Sequence, residues 1–257
     1  MDNRDVSLDE YERKRYLRQI VYPQWGENAQ RAIKASTVFI AGAGGLGSSV
    51  AVYLAAAGVG CIRICDFDRV ELTDLNRQIL YSEGDIGKPK VRIASKTISR
   101  INPHVRTVTL FEKISKENIA ELVDNASIVV DCLDNFDARL VINEHIVRQE
   151  LPFVHGGVCW MTGQITFIHP PETPCLKCLF PIIPPHETFP IIGAAPGFIG
   201  CLQALEVLKF LSGIGSILKN RLLIWEGDIG NFEEIRVEKN PHCDVCGSKR
   251  DTADPGK

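Results

Sequence analysis

The stretch from Val38 to Gln78 constrains this chain more than any other. An apolar run, VFIAGAGGLG, passes through Gly42, Gly44 and Gly47 into an Ala- and Val-rich segment, and a second apolar run closes at Asp66. G-x-G-x-x-G is the spacing of a nucleotide-binding turn. Its glycines let the backbone approach a phosphate or ribose, and the helix that follows offers its first N–H groups to negative charge. Strand Thr37 to Ala41, helix Leu46 to Ala57 and strand Cys61 to Asp66 make a unit of about 30 residues, the size of one β-α-β unit. Asp66, at a strand end, is placed to accept hydrogen bonds from ribose hydroxyls. The turn alone fits a dinucleotide, and it also fits a purely structural bend.

Strands and helices go on alternating after this unit. Lys90 to Ile101, Lys116 to Val123 and Phe136 to Gln149 read as helices, and Arg106 to Phe111 and Ser127 to Asp131 as strands. That order predicts an α/β fold: a Rossmann-like, mainly parallel sheet with helices on both faces. Residues 8 to 35 read as a helical N-terminal arm. Beyond Pro152 the pattern changes. Phe153 to Val158, Gln164 to His169, Leu222 to Glu226 and Phe232 to Val237 read as strands, giving a C-terminal antiparallel extension, and Phe198 to Leu211 reads as a long apolar helix. A single domain over 1–257 is expected, with an arm at 1–35, a nucleotide-binding half at 36–150 and a second half at 151–257. The proline-rich segment Phe180 to Pro190 is the expected crossing loop, with His186 a solvated side chain on it.

Three further residues bear on the nature of the nucleotide. Arg77 follows Asp66 by eleven positions, Lys90 opens a helix, and Asp134 stands in DCLDN after a strand. Arginine holds phosphate oxygens bidentately, lysine adds a point charge, and an aspartate beside them suits Mg²⁺. Each alone is readable as a surface charge or a helix cap. Together, outside the carboxyl ends of parallel strands, they suit a triphosphate. An NAD-dependent oxidoreductase stays open as an alternative, but it explains only the glycines and Asp66.

Composition narrows the partners. A net charge of −3 and a pI near 6.1 supply no basic field for nucleic acid. The N-terminus lacks the apolar core of a signal peptide, and no uninterrupted apolar run approaches the ~18 residues of a membrane span, so a cytoplasmic protein is expected. The nine cysteines fall into two groups. The pairs Cys175/Cys178 and Cys243/Cys246 offer four thiolates for tetrahedral zinc, with Pro174 bracing the first knuckle and Gly247 relaxing the second. Redox chemistry is the rival reading. Two pairs, neither opening a helix in a thioredoxin-like unit, favour a structural zinc that staples the C-terminal tail to the loop leaving Pro174. Cys61, Cys65, Cys132, Cys159 and Cys201 sit among apolar neighbours and read as core residues.

GAGGLG, DFDRVELTDLNRQ, GKPK and DCLDN, together with RYLRQI near the start and NPHCDVCG near the end, resemble the ThiF/MoeB/HesA family, prokaryotic relatives of ubiquitin-activating enzymes. The resemblance covers nearly the whole chain. It implies an adenylyltransferase that uses ATP and Mg²⁺, holds a structural Zn²⁺ and forms an acyl-adenylate on the C-terminal glycine of a ubiquitin-like, β-grasp sulfur carrier ending in Gly-Gly. Molybdopterin and thiamine biosynthesis are the pathways it suggests. By the same resemblance Gly45 touches the nucleotide alongside Gly42, Gly44 and Gly47, and Asp66 binds ribose. Thr73, Asp74, Leu75, Asn76 and Arg77, followed by Gln78, line the triphosphate. Lys90 neutralises phosphate charge, and Asp134 with Asn135 serves the magnesium and the adenylate. Arg18 matches an arginine that family homodimers insert into the neighbouring subunit's site, and residues 151–257 become the carrier-binding half.

Many relatives also place a cysteine on the crossing loop, for a thioester or for sulfur exchange. Here the loop reads LFPIIPPHETFPIIGAAPG and has none. The firm expectation is therefore adenylation, with a sulfurtransferase or cysteine desulfurase as a further partner. Adenylation of a small-molecule or peptide carboxylate stays open as the alternative acceptor. A nucleotide-regulated scaffold is disfavoured by the presence of Arg77, Lys90 and Asp134.

Overall fold

In a computed structural model the chain is described over residues 6–182 and 190–247. The expected core is present. Strands β1 (Thr37–Ala41), β2 (Cys61–Cys65), β3 (Arg106–Leu110), β4 (Ile128–Asp131) and β5 (Phe153–Cys159) run parallel in the order β3-β2-β1-β4-β5. Then β6 (Thr162–Ile168), β7 (Arg221–Glu226) and β8 (Asn231–Arg236) extend the same sheet with antiparallel pairing. The sequence places the strand boundaries within two residues.

Alternate residues of each central strand feed opposite faces, as a pleat with period two requires. Val38 and Ile40 of β1 join Leu54, Ile62, Ile98, Phe167 and Val207 on one face. Phe39 and Ala41 join Leu122, Val129, Ile146 and Phe153 on the other. The first face is covered by α3 (Gly26–Ala35), α4 (Gly45–Ala57), α5 (Lys90–Ile101) and α9 (Ala194–Ser212). The second is covered by α6 (Ile119–Val123), α7 (Phe136–Gln149) and the single turn α8 (Leu176–Leu179). Each fully buried Leu or Ile contributes roughly 1.5–3 kcal/mol.

The N-terminal arm is three helices rather than one. α1 (Glu10–Arg15) opens with an Asp9–Glu12 capping box, α2 (Leu17–Ile20) follows, and α3 begins at Gly26 with φ +60°. Pro23 accounts for the second break, since it lacks an N–H and disfavours helix at the residue before it. The Tyr16 ring accounts for the first: it packs onto Gly58, where a Cβ would stand 2.5 Å from the ring.

Helix α9 starts four residues earlier than expected, with Pro196 in its first turn, where a missing N–H costs nothing. By length and a mean hydropathy of 1.3 it could cross a membrane. Its apolar run is not uninterrupted, since Gln203, Glu206 and Lys209 lie within it. Here α9 lies along α4 and over β5 and β6. It approaches α4 so closely at Gly200 that a Cβ there would be 2.7 Å from the Leu46 carbonyl oxygen. Buried Glu206 accepts the Leu218 N–H at 2.7 Å and pairs with Lys209.

Candidate functional site

The sheet order reverses between β1 and β4, and the crevice outside their carboxyl ends is where an open α/β sheet binds its ligand. Gly42 to Gly47 line that crevice. Gly42 has φ +96°, and a Cβ on it would lie 2.5 Å from the Cys132 carbonyl oxygen, so β4 closes the turn from below. A Cβ on Gly47 would be 2.1 Å from the Gly42 oxygen. Only glycine fits at either position. Gly44, by contrast, has nothing nearer than the Gln78 amide at 3.8 Å, and as N-cap of α4 it leaves that helix start without a side-chain cap. Unpaired N–H groups at an open helix start are what an anion requires.

The peptide groups flanking Ala43 are clamped. Its N–H donates to Asp66 Oδ2 at 2.8 Å, and its carbonyl accepts from the Tyr81 hydroxyl at 2.7 Å. Asp66 Oδ1 accepts from the Asp68 N–H at 2.7 Å. Burial pushes the Asp66 carboxyl above the usual aspartate range, against the pull of those N–H groups and Lys90. A carboxylate so poorly hydrated gains from further hydroxyl donors, which suits a ribose.

Asp74 organises the cationic loop. Its carboxylate, 8% exposed, lies 3.4 Å from Lys90 Nζ and 3.6 Å from Arg77 Nη2, and it accepts from Gln78 Nε2 at 2.7 Å. Lys90, itself buried, also reaches Asp68 at 3.4 Å. Arg77 donates to the Thr73 carbonyl at 2.8 Å and to Asn76 Oδ1 at 3.0 Å, and its Cγ would be 3.5 Å from a Cβ on Gly45. The glycine turn, Arg77, Gln78 and Lys90 are thus one cluster. Thr73 and Asn76 rim it, and Leu75 is half-buried behind.

Asp134 is exposed on the loop leaving β4, two residues past Cys132. Among the described residues no hydrogen bond or ion pair joins it to Arg77 or Lys90; its one such contact is from Asn135 Nδ2 at 3.2 Å. Asn135 spends its oxygen as the N-cap of α7, accepting from Ala138 N–H at 3.0 Å. Arg18 is exposed on α2. Its neighbour Gln19 donates to the carbonyl of Ala57, at the far end of α4 from the glycine turn. Thirteen residues of helix span about 20 Å, so Arg18 stands well away from the glycine turn of its own chain.

The four expected zinc ligands converge. All their sulfurs lie within 4.8 Å of one another, with Cys175–Cys243 at 3.8 Å and Cys178–Cys246 at 3.4 Å. Tetrahedral zinc with Zn–S bonds near 2.3 Å sets its sulfurs about 3.8 Å apart, so the donor set fits a closed structural site. Gly247 has no room for a side chain: a Cβ would be 2.4 Å from the Cys243 oxygen. Cys175 does cap a helix, but α8 is a single turn and the second pair crosses it, so the thioredoxin comparison fails for a different reason than expected.

Of the other cysteines Cys61, Cys65 and Cys132 are buried, while Cys159 and Cys201 are half-buried rather than core. Burial raises the thiol pKa of all five, Cys65 to about 12. None is poised as a thiolate. His186 and most of the crossing loop lie outside the described residues.

The sequence reading missed Tyr81, Asp68, Gly193 and the cluster of Asp131, Arg139 and His155. Asp68 had a signal in D-x-D; the others act through distant contacts that no spacing announces. Gly193, N-cap of α9, lies against the cationic loop, where a Cβ would be 2.2 Å from the Asn76 oxygen.

Comparison with known proteins gives a consistent picture. The ThiF family pattern matches residues 16–245. The chain is 38% identical over 246 residues to the sulfur carrier protein adenylyltransferase of Thermus thermophilus, covering 91% of each. It is 37% identical to the SAMP-activating enzyme E1 of Haloferax volcanii, covering 94% of this chain and 92% of that one. It is 40% identical to the adenylyltransferase and sulfurtransferase MOCS3 of Danio rerio, where it covers 95% of itself but 55% of the relative. Among solved structures, E. coli MccB with AMPCPP and MccA superposes with a TM-score of 0.80 at 26% identity, covering 91% of this chain and 74% of that one.

Proposed function

The chain belongs to the ThiF family and is an enzyme of the adenylyltransferase class, and on that premise we propose that it joins AMP from ATP to the C-terminal carboxylate of a ubiquitin-like sulfur carrier. The observation that carries the reading is the single cluster formed by the glycine turn, Arg77 and Lys90 around Asp74. A dinucleotide bound for hydride transfer gives those cations no role.

The chemistry needs little from the protein beyond position and charge. An α-carboxyl with a pKa of about 3.5 is already ionised at neutral pH, so no general base is required. A carboxylate oxygen attacks the α-phosphorus, the bond from that phosphorus to the pyrophosphate oxygen breaks, and an acyl-adenylate and pyrophosphate result. Arg77 and Lys90 stabilise the charge that gathers on the leaving group, and the N–H groups at the start of α4 hold the nucleotide in line. The exposed carboxylate of Asp134, with one contact to Asn135, fits magnesium, which when bound neutralises phosphate charge. A homodimer in which Arg18 enters the neighbouring subunit's site is part of this reading, and the place of Arg18 beyond the far end of α4 supports it. The carrier's Gly-Gly end and a molybdopterin or thiamine pathway follow from the resemblance. The five cysteines outside the zinc set all have raised thiol pKa values, which supports a separate sulfurtransferase or cysteine desulfurase as the consumer of the adenylate.

The crossing-loop sequence, which has no cysteine, favours a second reading, in which the acceptor is a peptide or small-molecule carboxylate. ATP–pyrophosphate exchange separates the two. Exchange that requires a β-grasp protein and is lost in Arg77→Ala supports the carrier. Exchange stimulated by a metabolite or peptide instead, or surviving Arg77→Ala, overturns it. A thermal shift with ATP but not NAD is the companion measurement.

A further inference from the structure

Beneath the Asp134 loop lies a buried ionic cluster that the reaction as described does not use. Asp131, the last residue of β4, is fully buried and Arg139, one turn into α7, is 6% exposed. Arg139 Nε lies 3.0 Å from Asp131 Oδ2. Its Nη2 donates to the carbonyls of Leu133 and of Gly156, the latter at 3.1 Å, and its guanidinium stacks on the Phe136 ring at 5.1 Å. Asp131 Oδ1 accepts the Leu133 N–H at 3.0 Å, and His155 Nδ1 meets Oδ2 at 2.6 Å. Burial holds His155 below its ordinary pKa, so the neutral ring donates from Nδ1. Arg139 and His155 keep Asp131 ionised in spite of its burial.

Both polar groups of Leu133 are therefore taken, its N–H by Asp131 and its carbonyl by Arg139. Asn135 is fixed from the other side by its own cap on Ala138. Asp134 is the residue between these two anchors. A buried ion pair is weak evidence for stability, because desolvation offsets most of its attraction. A planar fork that joins a carboxylate and two carbonyls from separate elements does something an apolar pair cannot: it fixes direction.

We propose that Arg139, locked by Asp131 and His155, is a positioning residue that aims the Asp134 carboxylate into the nucleotide crevice. The inference rests on the assignment of Asp134 to the magnesium–ATP end of the site.

Arg139→Lys is the informative variant. It keeps a cation for Asp131 but replaces the fork with a point charge that cannot span Leu133 and Gly156. On the full chain, hydrogen exchange over residues 131–139 is expected to quicken by about tenfold while the rest of the sheet is unchanged. Retention of Mn²⁺ on bound ATP, read by electron paramagnetic resonance, is expected to weaken by about tenfold. The Mg²⁺ needed for half-maximal ATP–pyrophosphate exchange rises by a similar factor, and the rate at saturating Mg²⁺ stays within about twofold of wild type. Added to Asp134→Ala, the Arg139 change has no further effect. Unchanged local hydrogen exchange, an unchanged Mn²⁺ affinity, or effects of Arg139→Lys and Asp134→Ala that multiply would overturn the proposal. If Arg139→Lys does not fold, Asp131→Asn/Arg139→Gln removes both charges together and takes the same measurements. If Asp134→Ala leaves Mn²⁺ binding intact while Arg139→Lys loosens the loop, the assignment of Asp134 has failed and the positioning has not.

Discussion

Gly193→Ala isolates one contact on which the arginine loop depends. Gly193 has φ −56° and ψ −27°, which any residue adopts, so backbone strain plays no part. The obstacle is steric: the added methyl would stand 2.2 Å from the Asn76 carbonyl oxygen and 3.2 Å from Arg77 Cβ. A carbon and an oxygen rest no closer than about 3.2 Å, so the Asn76–Arg77 peptide or the start of α9 must move by about 1 Å, and a close-packed interior passes that shift on. Overpacking of this kind costs about 1–3 kcal/mol of stability. The larger effect is on rate, because a displacement of about 1 Å in a positioned charge lowers activity by about 10²-fold, equivalent to roughly 2.7 kcal/mol. The assay is ATP–pyrophosphate exchange beside thermal unfolding, with Gly197→Ala as control. That position lies inside the same helix with its nearest atom, Ser49 Oγ, at 3.7 Å, so alanine there is tolerated and stabilises by up to about 1 kcal/mol. Equal exchange rates in the two variants would refute the reasoning.

Removal of zinc by a chelator should strip one equivalent per chain and lower the melting temperature, as should Cys246→Ser; a chain that holds no zinc when purified without chelator contradicts the staple. Mixing the inactive variants Arg18→Ala and Arg77→Ala should restore about a quarter of wild-type exchange, since half of randomly paired dimers carry one intact site of two. No recovery after subunit exchange rules out the crossed arginine. Burial lowers the pKa of His145, His155 and His169. A depressed folded-state pKa means that the unfolded chain binds more protons, so stability is full above about pH 6.5 and falls as pH drops toward the folded values, by at most about 1.4 kcal/mol per pH unit for each histidine. Urea midpoints measured from pH 7 to 5 should follow that slope, and His155→Gln should flatten it; a midpoint that rises on acidification contradicts the sign.

The sequence announces what depends on short-range pattern. Gly42 and Gly47 are readable because a strand, a tight turn and a helix demand glycine at that spacing, and the two C-x-x-C pairs are readable because metal geometry demands thiols at that spacing. Asp66 is readable as a strand-end acid. Its partner Tyr81, on the far side of Ala43, is not, because the contact spans 38 residues and depends on how α5 and its preceding loop pack. Arg139 is hidden for the same reason: on α7 it looks like one basic residue among several, and only the crossing of β4, β5 and α7 gives it three partners. The N-terminal arm misleads because a helical period runs through Pro23, and the packing of Tyr16 on Gly58 overrides propensity.

The segment between α8 and α9 enters and leaves the fold through fixed points. Phe180 packs edge-on against Phe136 and His155, with ring centroids 5.4 and 5.5 Å away. On the return, the Trp160 N–H donates to the Pro190 carbonyl at 2.9 Å, and Trp160 accepts from the Ile192 N–H at 3.3 Å. Chain length between two pinned ends is cheap to change, since each doubling of a loop adds only about 0.6 kcal/mol of closure entropy. Residues can therefore be added between these fixed points at little cost in folding free energy. Diversity among descendants of this fold should accumulate there first.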